Sequence, residues 1–185
     1  GLKAAAVLLA GYPEAEYLPL HLCSLAMFVS LAYAVRPSDA AGEFLFAVCL
    51  PGAAGALLFP GFLALPADSL LSFHSFSYHI LAVCFAILPL SAGEFRPSVR
   101  RLPGCALALL AMLPPVYALN LRYGTNFFFL NAAGTENPIA WLGGGIGALA
   151  VLAALVWGAL YGISAAVRIF GEKKRRAALD KRAAL

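Results

Sequence analysis

The chain has 185 residues, 62% of them hydrophobic and 12% charged, with a formal net charge of +4 and a mean hydropathy of +0.85. A water-soluble domain carries about a quarter charged residues, so this composition excludes a soluble globule and fits an all-α, polytopic transmembrane helix bundle. The positive charge comes from a C-terminal cluster rather than a surface patch, so the expected partners are membrane lipids and not nucleic acid.

In chain order, residues 2–10 (LKAAAVLLA) read as the last turns of a helix too short to cross a bilayer alone. They imply helices further upstream or a short re-entrant or interfacial piece, with a signal peptide the weaker reading because Lys3 is the only basic residue before it. Unseen N-terminal helices or a partner subunit are the protein partners expected. Five spans follow, at 18–35, 43–60, 70–90, 103–121 and 144–167. They are read from stretches free of Asp, Glu, Lys and Arg (17–35, 44–67, 69–93, 102–121 and 137–167), each as long as or longer than the roughly 20 residues that the hydrocarbon core requires. Pro51 is expected to kink the second span, and Pro114-Pro115 to bend or break the fourth. Gly52 and Gly55 thin the second span. Gly143 with Gly147, and Gly158 with Gly162, form G-x-x-x-G spacings on the last, expected to seat a neighbouring helix of this chain. The chain divides into a membrane bundle, 1–170, and a basic tail, 171–185, that can prolong the last helix.

Orientation follows from the loops. Arg36, the 91–102 loop (Arg96, Arg100, Arg101) and the tail (Arg168, Lys173, Lys174, Arg175, Arg176, Lys181, Arg182) fall on one side if the spans alternate. Arg122 is the basic residue near the spans on the other side, which also carries Glu14, Glu16, Asp68 and Glu136. Basic loops stay in the cytoplasm, which places the C-terminus there.

With that orientation the unusual polar residues share the outer layer. His21 and Cys23 open the first span, Ser72, His74, Ser75 and His79 occupy the outer half of the third, and Asn120, Tyr123, Thr125 and Asn126 end the fourth. Ser72, Ser75 and His79 are spaced i, i+3, i+7 and form one helical stripe, with His74 turned away from it. Leu20 and Cys23 share a face one turn apart. No comparable group is expected in the inner half. The single-residue alternative is that such groups merely hydrogen-bond between helices. Three histidines at one depth favour function, because ionisable groups inside a membrane are costly. With no carboxylate in any span, neither a metal centre nor a cofactor is expected. Cys23, Cys49, Cys84 and Cys105 lie in or beside the spans and do not form a disulfide framework. The absence of G-x-x-x-x-G-K-[ST], H-E-x-x-H and G-x-S-x-G leaves ATP hydrolysis, zincin proteolysis and α/β-hydrolase chemistry unsupported.

The runs LPLHLCSL (18–25), GALLFP (55–60), SFHSFSYH (72–79), FRP (95–97) and LN…YGTNFFFL (119–130) resemble the YwaF-type family of bacterial integral membrane proteins. That resemblance implies six or seven helices and a bacterial cytoplasmic membrane, multi-pass. The chain is more distantly similar to a eukaryotic cysteine-dependent membrane acyltransferase that moves polyunsaturated acyl chains onto lyso-ether phospholipids. Its histidine after the cysteine matches His21, its LLFP run matches Leu57 to Pro60, and its later histidine matches His79. Its nucleophilic cysteine falls at Leu20, with Cys23 about 4–5 Å further along a helix.

Two functions follow. As a lipid acyltransferase, the chain would use Cys23 as nucleophile, His79 or His21 as base, and Asn120 or Asn126 as oxyanion donor, with His74, Ser75 and Tyr123 also lining the substrate site. As a transporter or a lipid- or solute-binding subunit, it would use the same layer as an outward-facing pocket beside a broken fourth span. A scaffold role has only the packing glycines in its favour.

Overall fold

A computed structural model describes residues 20–60, 69–130 and 138–183. The short apolar piece at 2–10 and the start of the first span lie outside them. The helices are α1 (Leu22–Val35), α2 (Asp39–Leu58), α3 (Leu70–Ser91), α4 (Leu102–Tyr123, led in by a 3-10 turn Val99–Arg101), the single turn α5 (Pro138–Trp141) and α6 (Gly145–Ala183). No strand occurs among the described residues. Among the described residues four helices are long and apolar enough to cross a membrane: α2, α3, α4 with its lead-in turn, and α6 as far as Lys173. α1 is equally apolar but 14 residues long. The protein is an all-α, multi-pass membrane protein.

Local chemistry sets the helix ends. Ser38 caps α2 by accepting from the Ala41 amide at 3.3 Å, with Asp39 in the first turn. Ser69 caps α3 by accepting from the Ser72 amide at 3.1 Å. α4 stops where Gly124 turns left-handed (φ 66°). α1 starts later than the sequence implies. His21 has extended backbone (φ −68°, ψ 151°) at its N-cap position, and Leu20 is drawn into the cluster around Phe127. Leu20 is thus outside the helix, and the helical face expected to join it to Cys23 does not form.

α2 is the hub of the bundle. Of its apolar stretch 44% is buried, against 22% for α3 and 11% each for α4 and α6, so among the described residues α2 is the most deeply packed of the four. Leu45–Cys49 form a π-helical turn in which all five side chains are buried. Pro51 explains the turn. It has no N–H for the carbonyl of Ala47 four residues back, and its ring would strike that carbonyl in a regular helix. The released Ala47 oxygen instead accepts from the Trp157 indole of α6 at 2.8 Å. Phe46, Ala47 and Val48 pack with Cys105 and Tyr161, whereas Leu45 and Cys49 pack with Ala26, Tyr33 and Ala86.

The tandem prolines do not break the fourth span, and the expectation about the glycines of the last one fails. α4 runs unbroken through Pro114 and Pro115. Both are exposed, and a proline φ near −65° is already helical, so the loss of two amide donors does not end the helix. Gly143, Gly147, Gly158 and Gly162 are exposed, and a Cβ added at any of them would meet nothing within 4 Å. α6 packs through Ala148, Trp157 and Tyr161 instead, so the G-x-x-x-G stripes seat no helix among the described residues. Gly52 does admit a neighbour, with Leu22 Cδ2 3.4 Å from its would-be Cβ.

The basic end of the bundle, where α2 and α4 begin, departs from the sequence expectation as well. Glu43, the first residue of the expected second span, is fully buried. Its carboxylate accepts from the Ser98 amide (3.0 and 3.2 Å), from Arg101 Nη1 (3.1 Å) and from the Tyr161 hydroxyl. Arg101 also pairs with Asp39 and donates to the Arg96 carbonyl at 3.0 Å. Polar chemistry is therefore not confined to one layer, and a carboxylate does sit inside a spanning helix. Burial is tolerated because a guanidinium balances the charge and three donors replace water.

Candidate functional site

At the far end of the bundle, the start of α1, the first turns of α3 and the end of α4 converge. The link to α4 is a small polar clamp. Asn120, 3% exposed in the last turn of α4, donates from Nδ2 to the Phe127 carbonyl at 3.0 Å. Its Oδ1 accepts from the Phe127 amide and the Thr125 hydroxyl, both at 2.9 Å. Gly124 lets the chain reverse, and Asn120 holds the returning segment. That segment is strained: Phe128 and Phe129 have φ of 61° and 55°. Left-handed backbone at a residue other than glycine costs on the order of 1–3 kcal/mol and persists only where surroundings enforce it. Here the enforcing groups are the clamp and the burial of Phe127, Phe128 and Leu130 against Val116.

This turn faces His21. The His21 ring meets Phe127 edge-on with centroids 4.9 Å apart, and Phe129 lies 5.9 Å away. Two residues further on, the Cys23 carbonyl accepts a hydrogen bond from the Tyr78 hydroxyl of α3. That carbonyl belongs to the first turn of α1, so the bond pins the segment carrying Cys23 against the residue next to His79. The Tyr78 ring stands edge-on to His79 at 5.4 Å, with His74 6.2 Å away.

His79 is buried, as is Ser72 on the same stripe, and Ser75 is half-buried between them. His79 Nδ1 lies 2.7 Å from the Ser75 carbonyl oxygen. A carbonyl only accepts, so Nδ1 carries the hydrogen, and in the neutral ring Nε2 holds the basic lone pair. The chemistry available is a positioned imidazole base on α3 beside an α1 segment that carries a thiol.

The predicted residues therefore separate. His21, Cys23, His79 and Asn120 are tied to this junction through Phe127 and Tyr78, and His74 borders it. Asn126 is half-buried in the strained turn, where its carbonyl accepts from the Phe129 amide at 3.1 Å. Tyr123 is 52% exposed, under the Arg122 guanidinium at 5.6 Å. Sequence reasoning omitted Tyr78 and Phe127, which make the two connections. A phenol inside an apolar helix needs a hydrogen-bond partner, and that was the available signal for Tyr78.

A family model, the TMEM164 family, matches residues 2–162. The chain belongs to the TMEM164 family. Neither a curated protein nor a solved structure matches it. The TMEM164 match takes in every residue of the junction together with Glu43, Trp157 and Tyr161, and leaves out the basic extension of α6.

Proposed function

We propose that this TMEM164-family protein transfers acyl chains between membrane lipids at the junction of His21, Cys23 and His79. The observation that carries the reading is the Tyr78–Cys23 hydrogen bond, which holds the thiol-bearing turn of α1 beside a buried, oriented histidine. Family membership supports it, since TMEM164 is an ether-lipid acyltransferase family. In the proposed reaction His79 Nε2 takes the Cys23 proton, and the thiolate attacks an ester carbonyl of a donor phospholipid. The C–O ester bond breaks, the proton passes to the departing lyso-lipid oxygen, and a thioester remains on Cys23. The hydroxyl of an acceptor lyso-lipid then attacks the thioester while His79 takes its proton, restoring the thiol when that proton returns to sulfur.

Asn126 is the proposed oxyanion donor, and His74 and Ser75 border the lipid path. Asn120, with both ends of its amide engaged in the clamp, is a positioning residue in this scheme. Tyr123 is assigned to the rim of the site. The basic end is proposed to be cytoplasmic by the distribution of arginine and lysine, which puts the reaction in the outer leaflet, where donor and acceptor are both lipids. The transport or binding alternative rests on an outward-facing polar pocket and a broken fourth span, and the continuity of α4 removes the second of these supports.

Comparative lipidomics of cells expressing wild type, Cys23→Ala, His79→Ala or no protein tests the reading. The expected result is a change in phospholipid acyl composition that requires both residues. Four matching profiles would remove the acyltransferase assignment.

A further inference from the structure

α6 is longer than the membrane it crosses. Its apolar part, Gly145–Lys173, has 29 residues and rises about 43 Å at 1.5 Å per residue, enough for a bilayer with both headgroup layers. The helix nonetheless runs on to Ala183, about 15 Å further. Its exit lies at the basic end, because Tyr161 reaches Glu43 there. Lys173, Lys174, Arg175 and Arg176 therefore fall where α6 leaves the headgroup layer, with Arg168 about 8 Å deeper.

The helical register spreads these positions right round α6. At about 100° per residue, and counted from position 168, positions 173, 174, 175 and 176 fall at roughly 140°, 240°, 340° and 80°. Neighbouring cations are then nowhere more than about 100° apart. A helix that docks in a protein groove carries its anchors on one face, whereas a collar suits a partner that surrounds the helix. Arg168, Lys173 and Arg176 are exposed. Two more exposed cations, Arg96 and Arg100, flank Ser98, whose amide donates to Glu43 at 3.0 Å. Tyr161 of α6 donates to the same carboxylate, so one buried group fastens the loop and the helix at this end. Arg101 engages Asp39 and Glu43, and Glu94, Glu172 and Asp180 leave the remaining cations in large excess.

We infer that this basic collar binds anionic phospholipids of the surrounding leaflet, their phosphates gathered round α6 at Arg168 and at positions 173–176 and continued along Arg96 and Arg100. Charge and depth together select the occupant. An anionic headgroup brings an uncompensated negative charge to the level at which the collar sits, whereas phosphatidylcholine brings its own ammonium. The inference is independent of the proposed reaction, which lies at the other end of the bundle.

The test reconstitutes the full chain in nanodiscs of equal parts phosphatidylcholine and phosphatidylglycerol, repurifies it in mild detergent, and quantifies the retained lipid by extraction and mass spectrometry. Wild type should retain phosphatidylglycerol several-fold over phosphatidylcholine. A wash in about 0.5 M KCl, where charges are screened beyond a few ångströms, should bring the two lipids close to equality. Lys173→Gln, Lys174→Gln, Arg175→Gln and Arg176→Gln combined should lose most of the preference while the melting temperature stays near wild type. Arg96→Gln with Arg100→Gln should lose part of it. Cys23→Ala should keep the wild-type preference, which separates the collar from the proposed reaction. Equal retention of both lipids by wild type, a preference indifferent to salt, or one unchanged in the combined variant would overturn the inference. If the combined variant fails to insert, the salt response of wild type still decides.

Discussion

At the scale of single residues, Asn120 shows how little of a side chain's role its position in the sequence reveals. An asparagine near the end of an apolar helix advertises itself as unusual, and it is indeed buried. Its partners, however, are residues five and seven positions later, and they reach it only because Gly124 reverses the chain and two phenylalanines accept left-handed backbone. No spacing rule encodes that return. Asn120→Ala should leave the Phe127 amide and the Thr125 hydroxyl without their acceptor, destabilising the fold by about 1–3 kcal/mol. Thermal unfolding of the detergent-solubilised variant measures this, and an unchanged midpoint would show that the clamp is dispensable. His79 was easier to foresee, because a stripe of serines and a histidine on an otherwise apolar helix marks one face. Tyr78, which ties that face to Cys23, was lost among the aromatic residues around it.

At the scale of elements, the prolines were visible but their consequences were not. Pro51 and the adjacent tandem Pro114-Pro115 break the same local rule, yet α2 answers with a π-helical turn and α4 continues through its pair. The difference lies in the neighbour: Trp157 of α6 takes up the carbonyl that Pro51 releases. Trp157→Phe should therefore cost about 1–3 kcal/mol by stranding the Ala47 oxygen in the core. In Pro51→Ala, residue 51 regains an amide that can serve the same oxygen. The double variant should lose less than the sum of the two single losses, by 0.5 kcal/mol or more on the order expected for coupled neighbours. Additive losses would show that the tryptophan does not compensate for the proline. The start of α1 belongs to this scale too. Hydropathy runs on through Leu20 and His21, but a histidine facing two phenylalanine rings has a better use as an extended cap than as a helical residue.

At the scale of the whole molecule, composition was enough for the class. Long uncharged stretches identify spanning helices because the bilayer imposes a length and forbids unpaired charge. What holds the helices together was hidden, since Glu43 looked like a boundary residue and lies instead where α2, the 96–101 segment and α6 meet. Glu43→Ala leaves Arg101 with the exposed Asp39 and the Arg96 carbonyl and takes the acceptor from Tyr161. A loss of about 1–3 kcal/mol is expected from the Tyr161 hydroxyl and the Ser98 amide left without their acceptor, against a smaller loss for Tyr161→Phe, where the Arg101 and Ser98 contacts survive. Equal unfolding midpoints for Glu43→Ala and wild type would remove the lock from this description. With one end of the bundle locked in this way, the opposite end can carry strain in the Phe128–Phe129 turn and keep the first turn of α1 against α3. The measurement that reaches the central claim most directly is intact mass spectrometry of the purified protein after incubation with donor phospholipid and no acceptor. The account predicts one added acyl mass, removable by hydroxylamine, mapped to Cys23 and absent from Cys23→Ala. Unmodified protein, or an adduct that persists in Cys23→Ala, would contradict it.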